Sequence, residues 1–176
     1  MSTIFIQEAA NLFCGDHDPS NSKHLTITEH KLPTLEEMFE DHMAGGSHGK
    51  IEVPTGKMEK LESSFQLNGE DPQLLGQFGF GTKKPMPFFS YGVVRDLRTG
   101  DALETKAILT GYLGSIAPDA YKGGDAKGNE YGIKGITTYE LWFAGVEKYY
   151  FDFWTNTVRI DGQAVKATEN SILRLG

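Results

Sequence analysis

Between Lys60 and Asn68 the chain alternates without interruption: Leu61, Ser63, Phe65 and Leu67 fall on one side, Lys60, Glu62, Ser64 and Gln66 on the other. A period of two reads as a strand with one apolar and one wet face, and it rules out an amphipathic helix here. The same period recurs along the chain. In 23–32 Leu25 and Ile27 oppose Thr26, Thr28 and His30, and Pro33 closes the run. In 50–53 Ile51 and Val53 share a side. Segments 88–96 and 102–115 form a hairpin around Leu97-Arg98-Thr99-Gly100-Asp101, with Leu103, Thr105, Ala107, Leu109 and Leu113 on one face. From Ile136 onward Thr138, Glu140 and Trp142 alternate with Tyr139, Leu141 and Phe143, and a turn near Ala144-Gly145 leads into 147–154. The end of the chain, 158–176, holds a short strand around Val158 and Ile160, a turn at Asp161-Gly162 and a last helical turn. The 21 glycines against 7 prolines fit strands joined by many turns. The expectation is a mainly β chain with one or two helices, forming a single domain over 1–176.

One helix is expected at about 71–79. Asp71 caps it, Pro72 takes the first helical position, Leu74, Leu75 and Phe78 form the buried stripe, and Gly79 stops it. Local rules give a second helix after Thr34, with Glu36 and Glu37 in the first turn and Leu35, Met38, Phe39 and Met43 on one face. Ala44-Gly45-Gly46-Ser47-His48-Gly49 then breaks any regular element, and 117–135 has no period and reads as a long loop.

A formal charge of −7 and the lack of a basic cluster exclude a conventional nucleic-acid reader. Cys14 is the one cysteine, so the fold stands without disulfides. The N-terminus carries no basic region and its apolar stretch is too short for a signal or a span, which predicts a soluble protein without stable membrane binding.

Chemistry-bearing patterns are weak. Gly45-Gly46-Ser47-His48-Gly49-Lys50 approximates a phosphate loop, but the spacing is wrong, Ile51 stands where a hydroxyl should bind magnesium, and no apolar helix follows. Ser47 sits where a nucleophile elbow would place it, without the flanking strand and helix. The five histidines, all between His17 and His48, match no ligand spacing, and Asp16-His17-Asp18 reads as a solvated acidic turn. Cys14 follows Asn11-Leu12-Phe13 and reads as a buried small hydrophobe. No enzyme, metal or cofactor is expected.

The run Tyr149-Tyr150-Phe151-Asp152-Phe153-Trp154 is apolar on both faces of a strand. A second sheet or a neighbouring subunit has to cover it, which points to self-association.

These pieces occur together in one order: Asn11-Leu12-Phe13 with Gly15, Leu32-Pro33-Thr34-Leu35, Gly45-Gly46 before Ile51-Glu52-Val53, and the strand and turn 58–69. Tyr139-Glu140-Leu141 to Gly145, Phe151-Asp152 to Asn156, Ile160-Asp161-Gly162 and Arg174-Leu175-Gly176 follow. In that order they resemble the major tail tube proteins of contractile-tailed bacteriophages and of R-type bacteriocins. Segments 16–22 and 122–135 have no aligning counterpart. The resemblance implies a β-sandwich or barrel-like tail tube fold, with 32–43 largely extended rather than helical. It implies hexameric rings whose subunits complete one inner β-barrel, stacked into a hollow tube that penetrates the host envelope and conducts DNA. The implied partners are further copies of the chain, the tail sheath, the baseplate or tube initiator, the tape measure protein and the tail terminator, with DNA only in transit. The implied location is the virion tail, after assembly in the host cytoplasm.

On this reading Leu35, Met38, Phe39, Met43, Gly45 and Gly46 are expected at the subunit or ring interface. Glu52, Glu59, Glu62 and Glu104, on polar strand faces, are the candidates to line a lumen that repels phosphate. The alternatives are a type VI secretion-like ring protein of the same architecture, and a small β-barrel ligand-binding or hydrolytic protein.

Overall fold

The computed structural model describes residues 3–124 and 127–175; Met1, Ser2, residues 125–126 of the expected long loop and Gly176 lie outside the described residues. The chain is mainly β, as the alternation requires. One sheet runs β1 (Phe5–Cys14), β6 (Met86–Asp96), β7 (Ala102–Pro118), β8 (Asn129–Phe143), β9 (Val146–Asp152), β10 (Thr157–Ile160), β11 (Gln163–Ala164), with antiparallel pairing between neighbours. β8 is long enough to serve two partners. Its second half pairs with β9, while Asn129–Ile133 pairs with β5 (Ser63–Leu67), which in turn pairs with β2 (Ile27–Lys31). Irregular register at Thr110/Tyr112 and Leu113/Ser115 bends the β7–β8 ribbon there, so that β5 and β2 lie over β1, β6 and β7.

The core fills that fold-back. Leu12, Phe88, Ala107, Leu109 and Tyr139 from one layer meet Phe65, Leu67, Tyr131 and Ile133 from the other, and Phe65 stacks on Tyr131 with ring centroids 5.1 Å apart. The sheet does not close into a barrel: β1, β11 and, on the β5 branch, β2 remain its edges. β3 (Glu37–His42) and β4 (Ile51–Met58) form a separate two-stranded sheet.

Several sequence expectations change here. Thr34–Met43 is not helical; Glu37–His42 is strand, because its apolar residues have no core to face and pair with β4 instead. The expected helix at about 71–79 is a single turn, α1 (Pro72–Leu75). Asp71 caps it by accepting from the Leu74 N–H at 3.0 Å; Leu74 is buried and Leu75 exposed. A second short helix, α2 (Ala167–Ile172), stands where the last helical turn was expected. The expected loop 117–135 is strand through Pro118 and again from Asn129, where Tyr131 and Ile133 are fully buried. Glycine content hid that period: Gly132 lets the Ser115 side chain approach within 2.2 Å of where a Cβ would sit. Leu25 was assigned to the buried face yet is 86 % exposed, because it sits in the turn that Thr26 and Ile27 N–H close onto the Lys23 carbonyl, ahead of β2; the register shift between Ile27 and Glu29 then inverts parity and turns His30 inward. β1, which carries no alternation, is a strand that composition did not disclose.

Candidate assembly surface

The segment singled out for contacts, 35–50, is most of the β3–β4 arm. Directly opposed residues share a face in an antiparallel pair, so Phe39 with Pro54 and Asp41 with Glu52 lie on one side, Glu40 with Val53 and His42 with Ile51 on the other. Apolar groups therefore stand on both faces, and every residue of β3 is exposed, Phe39 at 51 %. The arm's two strands are pinned at base and middle: the Glu59 N–H donates to the Glu36 carbonyl at 2.9 Å, and the Thr55 side-chain hydroxyl donates to the Met38 carbonyl at 2.9 Å. Leu35 and Met43 are exposed at its ends, and Gly45 and Gly46 sit in the tip with nothing within 4 Å of a would-be Cβ. A lone two-stranded hairpin is marginal in water, and six large apolar side chains left in solvent, Leu35, Met38, Phe39, Met43, Ile51 and Val53, want a partner surface.

The four lumen candidates lie on different elements. Glu52 sits on the arm opposite Asp41, Glu59 at the arm's base, and Glu62 just before β5, where Lys60 bonds it at 2.9 Å and holds its carboxyl below the usual value. Glu104 lies on β7 opposite Val93, on the sheet face turned away from the core.

That outward face of the sheet is wet, and many of its charges are matched internally. Lys106 lies 4.9 Å over Trp142, whose Nε1 donates to Glu140 at 3.2 Å. Arg159 lies 3.7 Å over Tyr150 and makes two 2.8 Å bonds to Glu147, which hold that carboxyl low. The aromatic run divides accordingly: Phe151 packs on the core, Tyr150 under Arg159, and Phe153 and Trp154 stand exposed in the β9–β10 turn, edge to face at 5.4 Å.

The residues that hinted at chemistry have structural partners. His17 Nε2 is 2.7 Å from Tyr91 Oη, and its ring packs on Phe89 and Phe13. Ser47 Oγ donates to the Gly49 carbonyl at 2.9 Å inside the arm's turn, and the Lys50 ammonium bonds Asp41 at 3.2 Å. Cys14 is buried, and desolvation pushes its thiol up to about 12, away from thiolate chemistry.

A surface the sequence reading passed over lies between α1 and β6. Thr82 N–H closes a turn onto the Gly79 carbonyl at 2.8 Å, and its central residues Phe80 and Gly81 have φ of 46° and 83°. A phenylalanine held at positive φ and 90 % exposed is strained for display rather than for burial. The signal was present as Phe78-Gly79-Phe80-Gly81 followed by Lys83-Lys84.

A family model described as phage tail tube protein FII matches residues 17–172. No curated protein matches the chain.

Proposed function

The chain belongs to the phage tail tube protein FII family, and is thus a structural subunit of a phage tail tube that assembles in the virion tail; from that premise we propose that it builds a contractile-type tail in which six copies close each ring and rings stack into a hollow conduit for DNA. The observation that carries the reading is the arm. It exposes Phe39 and Ile51 on opposite faces and joins no strand of the main sheet, which supports contacts with a neighbouring copy. The open sheet supports the same reading, since closing β1 and the opposite edge against neighbouring copies would remove unpaired strand edges and complete an inner barrel across subunits.

In this proposal Leu35, Met38, Phe39, Met43, Gly45 and Gly46 belong to the subunit or ring contact. Glu52, Glu59, Glu62 and Glu104 face the lumen, where carboxylates keep passing phosphates from sticking. The whole of 1–176 acts as one tube domain without catalysis. Assembly takes place in the host cytoplasm with the tail sheath, tube initiator, tape measure protein and terminator as partners. The test is a variant with Phe39, Ile51 and Val53 replaced by serine. It should keep the wild-type melting behaviour, because Phe39, Ile51 and Val53 are exposed and, unlike Met58 at the arm's base, do not pack on the core, and fail to form tubes. Tubes at wild-type yield from that variant would overturn the role of the arm.

A further inference from the structure

We propose that the cleft between the turn after α1 and the bend of β7 receives the arm of a second copy, with Lys83 and Lys84 reading the arm's carboxylates and Phe78 and Phe80 taking its apolar side chains. This rests on the tube reading above and names the receptor that the reading leaves open. The cleft holds about 430 Å³ and is lined by Phe78, Phe80, Lys83, Lys84, Met86 and Tyr112. Phe78 and Phe80 meet edge to face at 4.7 Å, forming an aromatic wall on the solvent side. Lys83 folds its stem across Gly79, where a Cβ would lie 2.0 Å from its Cγ, so the turn, the aromatic display and the lysine are built as one unit. Neither lysine pairs with a carboxylate among the described residues, and no acidic side chain lines the cleft.

The arm is the complementary object. Its first strand and the residues before it carry four carboxylates outside the lumen set, Glu36, Glu37, Glu40 and Asp41, of which Asp41 bonds Lys50 at 3.2 Å, and it presents Phe39 and Ile51 beside Asp41 and Glu40. Opposite charge steers and registers such a contact, while buried aromatic surface holds it. Because arm and cleft are different patches of the same chain, their union is heterologous, the class of contact that propagates around a ring or along a stack instead of stopping at a dimer.

The experiment mixes two single-cysteine variants in assembled tubes, Pro54→Cys beside Phe39 on the arm and Tyr112→Cys in the cleft, one chain tagged so that mixed dimers differ in mass. Cys14 is buried and stays out of the exchange. Oxidation should yield mixed dimers from this pair and none when Leu25→Cys replaces Tyr112→Cys. In parallel, Lys83→Glu/Lys84→Glu should raise the concentration needed for assembly by roughly tenfold or more. Adding Glu40→Lys/Asp41→Lys should restore it. Normal tubes without the mixed dimer, or a monomer cross-linked within one doubly substituted chain, would overturn the arm-to-cleft contact and leave the tube reading standing. Wild-type protein that forms no ring or tube under any condition would overturn the tube reading, and this inference with it.

Discussion

Lys23 Nζ lies 2.7 Å from an Asp71 carboxylate oxygen, and both side chains are largely buried, at 5 % and 19 % exposure. The pair ties the segment between β1 and β2 to the one-turn helix. Burial works to raise the Asp71 carboxyl, but the Lys23 ammonium and the N–H groups of Leu74 and Gln73 outweigh it and hold the group below 3.8. Removing one partner of such a pair strands the other in a poorly solvated site. Asp71→Ala, which also uncaps the helix, should cost about 3–5 kcal/mol in urea unfolding. Lys23→Met/Asp71→Leu should cost clearly less than the single change, and a merely additive double variant would refute the pairing.

The depressed Asp71 carboxyl contributes stability that is lost as the pH falls below about 3.8, and His30 predicts a second, separate acid response. Its ring is turned inward by the β2 bulge, Nδ1 meets Ser90 Oγ at 3.0 Å, Nε2 has no partner, and desolvation lowers its pKa from 6.5 to about 4. A depressed histidine folds neutral, so its stabilising state is complete above pH 6.5. Stability then falls as the pH drops toward 4, because the unfolded chain takes up the proton first. The loss across that window should be about 3 kcal/mol. His30→Leu/Ser90→Ala should flatten the stability curve between pH 6.5 and 4 while leaving the Asp71 loss, which lies below pH 4 and has the same direction. Unchanged slope in the variant would contradict the assignment.

Two glycines should part company. A Cβ on Gly128 would lie 2.0 Å from the Leu67 carbonyl oxygen and 2.6 Å from that of Gly69, both backbone, whereas Gly45 has nothing within 4 Å. Gly128→Ala should destabilise by about 1–3 kcal/mol, and Gly45→Ala should stay within about 0.5 kcal/mol, both read by thermal melting.

What sequence reasoning reached and missed follows one rule. Where a strand has one buried and one wet face, as at Phe65 or Leu109, side-chain alternation records it directly. β1 escaped because it is an edge whose Phe5 and Ile6 are both half exposed, so no alternation exists to read. The arm imitated a helix because Leu35, Met38, Phe39 and Met43 fit a helical stripe, while Glu37–His42 is in fact a strand paired with β4. His30 was inverted by a bulge, which shifts parity without leaving a mark in composition, and Leu25 falls in a turn ahead of the strand. The cleft carried a signal, a bulky aromatic between two glycines, that only φ at Phe80 makes legible as display.

For the lumen, Glu52, Glu59 and Glu104 each changed to lysine should slow DNA delivery most at low salt, where phosphate attraction is least screened. Glu62, already neutralised by Lys60, should matter least. Normal delivery by the triple variant at low salt would place these carboxylates outside the conduit.

The most direct test of self-assembly is negative-stain electron microscopy of the purified protein at high concentration, alone and with nucleating tail particles. The account predicts hollow tubes of uniform diameter whose end-on views show six-fold rings. Monodisperse monomers in both conditions would contradict it.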